Sequence, residues 1–139
     1  MILNMGLHYE IDNEGGSGLR FKYYLNILKN RYVICQVKHI RLPNFEASPV
    51  VRKSLVFSGR VQKVGFRLEI YELAKRLNLT GWVKNKNDDS VEAEIQGENN
   101  KIIFLIKYMQ SLKRASVKDV TISEMPTADD ETDFILIKE

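Results

Sequence analysis

The order of two hydrophobic periodicities along residues 53–139 sets narrow limits on how this chain folds. Apolar residues that alternate with polar ones predict strands at Ser54–Val61, Thr80–Asn87, Val91–Gln96, Val117–Ile122 and Phe134–Ile137. In the two longest intervals between these strands, apolar residues recur every three or four positions, which is typical of amphipathic helices. The predicted order is therefore strand, helix, strand, strand, helix, strand, followed by one more short strand.

Each predicted helix has one apolar face. In the first helix this face consists of Phe66, Ile70, Leu73 and Leu77. The wetter side of the same helix carries Glu69, Glu72, Lys75 and Arg76, and Asn78 is expected to end it. In the second helix the buried face is expected to consist of Ile102, Leu105, Met109 and Leu112. We expect Phe66, together with Trp82 from the strand that follows the first helix, to lie in the core.

This order of elements is the split β-α-β pattern of a ferredoxin-like α+β sandwich. In that architecture an antiparallel sheet carries both helices on one face, and the polar turn Asn87–Ser90 would close a hairpin within it. Because the same fold hosts RNA binders, metal carriers, regulatory modules and enzymes, it does not identify a function by itself.

Residues 1–52 form an N-terminal extension to this domain of residues 53–139. Phe21, Tyr24, Leu25 and Leu28 follow the spacing of one helix face, which predicts a short helix over Leu19–Lys29. The alternation of Val33, Cys35 and Val37 predicts a strand over Arg31–Leu42, and Pro43 and Pro49 mark a linker. The extension is therefore expected to be a helix and a strand, or partly flexible.

Composition excludes several classes of protein. With 44% hydrophobic and 28% charged residues, the chain is typical of globular proteins. No window approaches the roughly 20 apolar residues of a membrane span, and the first residues do not resemble a signal peptide, so we expect a cytoplasmic protein that does not enter a membrane. The single cysteine Cys35 and the isolated His8 and His39 predict neither a metal site nor a cofactor.

The charge distribution argues against a nucleic-acid partner. The net charge of +3 comes entirely from residues 1–52, which carry seven Lys or Arg against four Asp or Glu. That surplus is small for a protein that binds nucleic acid. The strands also lack the paired aromatic motifs with which RNA-binding sheets stack bases.

The junction between the first strand and the first helix is the best candidate for a binding site. The stretch from Ser58 to Arg67 turns at a glycine and leads directly into a helical pattern, so its backbone N–H groups can converge on one point at a positive helix end. Arg67 stands in the first helical turn, where a cation opposes the helix dipole by roughly 0.3–1 kcal/mol unless an anion sits beside it. The sequence therefore predicts a phosphate site here.

Two motifs in this part of the chain resemble those of the acylphosphatases. The first is GRVQKVGFR at Gly59–Arg67, and the second is GWVKN at Gly81–Asn85, whose asparagine follows that arginine by eighteen residues. The resemblance covers roughly residues 53–139 and implies metal-independent hydrolysis of acyl phosphates to a carboxylate and inorganic phosphate. It assigns the phosphoryl-binding cation to Arg67, the water-holding amide to Asn85 and the phosphate cradle to Gln62, Lys63, Val64, Gly65 and Phe66. A monomer is expected, with a dimer through the extension as the alternative.

The residues of the loop restrict the reaction further. A cysteine phosphatase would need its nucleophile six residues before the arginine, where this chain has Val61, and no aspartate lies in the loop. Direct attack by water remains. The family usually has glycine where this chain has Lys63, and a side chain at a position with positive φ costs on the order of 1 kcal/mol. The alternative is therefore a weak or inactive acylphosphatase-like module that binds an anion or a partner.

Overall fold

The computed structural model describes residues 17–138. Its helices are α1 Ser17–His39, α2 Phe66–Arg76 and α3 Asn99–Gln110. Its strands are β1 Val50–Arg60, β2 Thr80–Asn85, β3 Val91–Glu98, β4 Ser116–Met125 and β5 Phe134–Leu136. From β1 onward this is the predicted order of strands and helices. No helix within residues 17–138 has both the length and the apolar character needed to cross a membrane.

The five strands form one sheet in the order β4-β1-β3-β2-β5. The first four are antiparallel to their neighbours, as predicted for a ferredoxin-like sandwich, whereas β5 runs parallel to β2 and makes the sheet mixed. Because β1 and β2 both run antiparallel to β3 between them, they point in the same direction, and β5 follows them. The carboxyl ends of β1, β2 and β5 therefore meet at one edge of the sheet.

Both α2 and α3 pack on one face of the sheet, as predicted. Their apolar faces share a single core with the inward-facing residues of β1 and β3, among them Leu55, Phe57, Ala93 and Ile95. Phe66 belongs to this core and contacts Phe57 edge-to-face, with ring centres 5.1 Å apart. Asn78 adopts a left-handed conformation just after α2, with φ of 55°, and so ends the helix as expected.

The prediction that Trp82 lies in the core is wrong. Val83 takes the inward position of β2 and is fully buried, so its neighbour Trp82 points to the other side of the sheet. There Trp82 is only partly buried, and the Lys84 ammonium lies 5.2 Å from the centre of its ring.

The prediction of a strand over Arg31–Leu42 is also wrong, because α1 continues without a break from Ser17 to His39. Val33, Cys35 and Val37 have the every-second-residue spacing of a strand, but Val33 and Val37 are also four residues apart and so share one helix face. Packing decides between the two patterns: Val33 and Ile34 are buried against Leu68 of α2. The helix itself was predicted, although its apolar residues Phe21, Tyr24, Leu25 and Leu28 are exposed.

The carboxyl end of α1 is anchored to the domain by α2. The Arg76 guanidinium donates hydrogen bonds to the carbonyl oxygens of Val37 at 2.6 Å and Ile40 at 2.7 Å, two acceptors at the carboxyl end of α1. Residues 40–49 have no regular secondary structure, in agreement with the predicted linker. This contact with Arg76 fixes the carboxyl end of α1 to the carboxyl end of α2.

Candidate active site

The loop of residues 61–65 joins β1 to α2 at the edge of the sheet where β1, β2 and β5 end. Gly65 precedes the first helical residue in a left-handed conformation, with φ of 78°, and no side chain caps the first N–H groups of α2. A Cβ on Gly65 would lie 2.8 Å from Cγ2 of Val33 in α1, so the close approach of α1 also requires glycine. The uncapped N–H groups leave the helix end able to bind an anion.

Two cations bind consecutive carbonyl groups of this loop. Lys29 of α1 donates from Nζ to the carbonyl oxygen of Lys63 at 3.4 Å, and Arg114 donates from Nε to that of Val64 at 2.6 Å. Each carbonyl oxygen therefore lies beside a positive charge, which weakens its repulsion of an anion bound at the loop. Burial lowers the pKa of Lys29, and the positive charge of Arg114 lowers it further.

Lys63 has a backbone conformation that favours glycine. Its φ is 63°, in the left-handed region. The strain that the sequence predicted for a side chain at this position is therefore present. The Lys63 side chain is exposed at the rim of the site.

Arg67 lies in the first turn of α2 and is half-buried. Its Nη1 donates to the carbonyl oxygen of Ile137, just beyond β5, at 3.0 Å. Within residues 17–138 Arg67 forms no ion pair with a carboxylate, so its positive charge is not neutralised by the described part of the protein. That single backbone contact orients the guanidinium and leaves several of its N–H donors for a ligand.

Asn85 is the last residue of β2 and therefore reaches the same edge of the sheet. Its Oδ1 is buried and has no hydrogen-bond partner among the described residues. The neighbouring turn is tied to the loop by Gln62, whose Nε2 donates to the carbonyl oxygens of Lys86 and Ser90, both at 2.8 Å. Gln62 thereby fixes the end of β2 relative to the start of α2.

A cleft of about 690 Å³ contains most of the residues that the sequence singled out. It is lined by six of the seven: Gln62, Lys63, Gly65, Phe66, Arg67 and Asn85. Val64 does not line the cleft, because its side chain packs against the core and its carbonyl oxygen accepts from Arg114. The Phe66 side chain is in the core, so only its backbone can serve a ligand. No three His, Cys, Asp or Glu side chains are grouped as metal ligands in the part of the chain described.

One wall of the cleft comes from α1, which the sequence did not assign to the site. The helix contributes Lys22, Leu25, Asn26, Lys29 and Asn30. These positions are separated by three, four, seven and eight residues from the first, which is the spacing of one helix face. A polar face on a helix that also carries apolar residues was the available signal, but without the docking geometry it is indistinguishable from a solvated surface.

A buried ion pair behind the loop was also missed. Glu69 was placed on the wetter side of α2, but it is fully buried and that prediction is wrong. Its carboxylate pairs with Arg114 and accepts a 2.9 Å hydrogen bond from the Tyr108 hydroxyl, whose pKa is raised by burial. Since Arg114 also binds the carbonyl of Val64, the pair connects the core to the loop. Position alone could not reveal it, because Glu69 borders the apolar face and its partner lies forty-five residues away.

Comparisons with known proteins agree with this geometry. The family model described as Acylphosphatase matches residues 53–136. An acylphosphatase of Clostridium beijerinckii is 41% identical over 86 residues, which are 61% of this chain and 96% of that protein. One from Bifidobacterium longum is 38% identical over 86 residues, covering 61% of this chain and 89% of that protein.

Solved structures show the same likeness. The acylphosphatase of Bacillus subtilis superimposes with a TM-score of 0.60 at 26% identity, covering 65% of this chain and 100% of that one. A Coxiella burnetii acylphosphatase gives a TM-score of 0.58 at 32% identity, covering 63% of this chain and 93% of that one. The family match spans more than half of the chain and includes the loop, Arg67 and Asn85. The chain therefore belongs to the acylphosphatase family.

Proposed function

We propose that this acylphosphatase hydrolyses acyl phosphates by direct attack of a water molecule that Asn85 orients, while Arg67 and the loop of residues 62–66 bind the phosphoryl group. The observation that carries the proposal is the Asn85 Oδ1 atom, which is buried without a partner among residues 17–138 and lines the same cleft as Arg67. An unpaired buried acceptor costs about 1–3 kcal/mol, and a water that donates to it removes this cost.

The phosphoryl group is held by charge and by backbone donors. The start of α2, with its uncapped N–H groups and the positive end of the helix dipole, lies beside the cleft, since Gly65, Phe66 and Arg67 all line it. The guanidinium stays charged at every relevant pH and offers donors in a fixed plane to two phosphate oxygens. Binding is expected to strengthen as the phosphoryl group passes through the transition state, because these donors are already oriented.

The chemical step needs no protein nucleophile. The water oxygen bonds to phosphorus while the bond from phosphorus to the acyl oxygen breaks, and the electron pair of that bond leaves on the carboxylate. Asn85 cannot take the proton, since a carboxamide is not a base at neutral pH, so one proton of the water passes to a phosphate oxygen of the substrate. The products are a carboxylate and inorganic phosphate. An acyl phosphate already has a good leaving group, and position with charge stabilisation supplies the remaining acceleration.

Metal independence is part of this proposal. Arg67 supplies the positive charge that magnesium provides in many phosphoryl-transfer enzymes. The proposed ligands are small molecules, namely the acyl phosphate and its inorganic phosphate product. A nucleic-acid partner is not expected. The cytoplasmic location, the monomeric state and the alternative of a dimer through residues 1–52 stay predictions.

Asn85→Ala is expected to lower kcat for benzoyl phosphate by about 100-fold or more, because the attacking water loses its acceptor. Release of phosphate is measured in the presence of EDTA, in which the unaltered protein should keep its full rate. The KM is expected to change little, since Arg67 and the loop still bind the substrate.

Asn87→Ala is the matched control for this variant. Asn87 is an exposed turn residue two positions after Asn85, and its loss should leave kcat within about twofold. If Asn85→Ala kept half of the normal kcat, or if EDTA abolished turnover by the unaltered protein, the proposed mechanism would be wrong.

Lys63→Gly is expected to stabilise the protein by about 1 kcal/mol, because glycine adopts a φ of 63° without strain. Urea unfolding measures the free energy of unfolding. Lys113→Gly is the control: Lys113 is also exposed but is absent from the described residues with positive φ, so glycine there should lower stability by a few tenths of a kcal/mol. Equal effects of the two substitutions would show that the backbone at Lys63 is not strained.

A further inference from the structure

The face of α1 that lines the cleft lies outside the part of the chain that matches the acylphosphatase family. The family match begins at residue 53, whereas α1 ends at His39. Val33 packs against Gly65, and Lys29 donates a hydrogen bond to the carbonyl of Lys63, so the helix contacts the loop of residues 61–65 directly. A substrate bound at the loop would contact α1 with any group that extends from its phosphoryl group toward the α1 wall of the cleft.

Among residues 17–138, the ionisable groups that line the cleft all carry a positive charge. They are Lys22, Lys29, Lys63, Arg67 and Lys138, and none of the Asp or Glu residues in this range lines the cleft. The side-chain ammonium groups of Lys22, Lys63 and Lys138 form no hydrogen bond or ion pair within residues 17–138. A phosphoryl group carries at most two negative charges, so it does not balance this set.

The size and polarity of the cleft agree with a substrate that is larger than the phosphoryl group. Its volume of about 690 Å³ is in the range of ordinary small-molecule sites. The α1 wall offers two amide side chains, Asn26 and Asn30, and two ammonium groups, with Leu25 as its apolar residue. Such a wall suits a polar, negatively charged group better than a hydrocarbon.

We propose that the α1 wall binds the acyl part of the substrate and selects acyl phosphates whose acyl group carries a second negative charge. This inference rests on the proposed function, since it concerns the same cleft. Lys22 is the α1 cation for the second anion because it has no other partner among the described residues, whereas Lys29 already bonds to Asn26 and Lys63. Lys138, which follows β5, is a second lysine of the lining whose ammonium group has no partner among the described residues.

The test compares 4-carboxybenzoyl phosphate with benzoyl phosphate, which has the same ring without the second charge. The full-length protein is expected to show a kcat/KM about fivefold higher for the carboxylated substrate, because one partly exposed ion pair contributes about that factor. The difference should come from a lower KM, with kcat unchanged. The Lys22→Gln/Lys138→Gln variant should bring the ratio of the two kcat/KM values to about one. Lys107→Gln is the control, because Lys107 is an exposed lysine on α3 outside the cleft and should keep the ratio.

Two non-hydrolysable probes separate this inference from the proposed function. The dissociation constants of benzylphosphonate and 4-carboxybenzylphosphonate are measured by titration calorimetry, and the same preference of about fivefold is expected without turnover. If neither acyl phosphate is hydrolysed but this preference is found, the proposed function fails and the second anion site stands. If both substrates are hydrolysed at equal efficiency, or if the double variant keeps the preference, the inference about α1 is overturned.

Discussion

Arg67→Ala is expected to lower kcat/KM for benzoyl phosphate by at least about 1,000-fold, because the fixed positive charge of the guanidinium stabilises the phosphoryl group in the transition state. Within residues 17–138 the Arg67 side chain forms a single hydrogen bond, to the carbonyl of Ile137, so the free energy of unfolding should fall by no more than about 1 kcal/mol. Loss of activity with retained stability is measured by phosphate release and urea unfolding on the same preparation.

Two matched variants define what Arg67 contributes. Arg67→Lys keeps the charge but loses the planar pair of donors, so it should recover only part of the activity. Arg60→Ala removes an exposed arginine that, like Arg67, donates to one backbone carbonyl, in this case that of Arg114. Its kcat/KM should stay within about twofold of the normal value. If Arg67→Ala kept a tenth of the activity, the assignment of Arg67 to the phosphoryl group would fail.

Arg114→Met is expected to destabilise the protein by about 3–5 kcal/mol, because it leaves the fully buried Glu69 carboxylate without its cation. It also removes the donor to the carbonyl of Val64, so the phosphate loop should bind inorganic phosphate more weakly. Urea unfolding at neutral pH measures the first effect, and competition by phosphate against benzoyl phosphate hydrolysis measures the second.

The Lys101–Glu98 pair provides the comparison for this ion pair. Glu98 immediately precedes α3 and Lys101 lies in its first turn; their charged groups are 3.0 Å apart, and both side chains are partly exposed. Lys101→Met should therefore cost less than about 1 kcal/mol. Adding Glu69→Gln to Arg114→Met should restore part of the lost stability, because the buried group is then neutral. If Arg114→Met cost no more than Lys101→Met, the buried pair would not have the structural role assigned to it.

The fold of residues 53–138 and the candidate residues that meet at one cleft could be predicted from sequence because both depend on local signals. The alternation of Val91, Ala93 and Ile95 and the helical spacing of Phe66, Ile70 and Leu73 each match one burial pattern. Because β1 and β2 run in the same direction, the start of α2, which follows β1, and Asn85, which ends β2, lie at the same edge of the sheet. The resemblance of the two motifs to those of the acylphosphatases had already implied that Arg67 and Asn85 act at one site.

The features that sequence analysis missed depend on contacts between distant residues. Val33 and Val37 satisfy the spacing of a strand and of a helix alike, and only docking against Leu68 decides between them. Glu69 lies at the border of an apolar face. Its burial depends on the ion pair with Arg114, which lies in the connection between α3 and β4. The role of α1 as a wall required knowledge of where the helix docks, which the composition of residues 1–52 does not contain.

The steric course of the reaction at phosphorus tests the central claim most directly. An acyl phosphorothioate made chiral with ¹⁸O is hydrolysed in H₂¹⁷O, and the configuration of the thiophosphate is determined. Direct attack by the water at Asn85 predicts inversion. Retention would contradict the account, because it requires a covalent phosphoryl-enzyme intermediate. A thiophosphate without ¹⁷O would contradict it as well, because the bond between the acyl carbon and oxygen would then have broken instead of the bond to phosphorus.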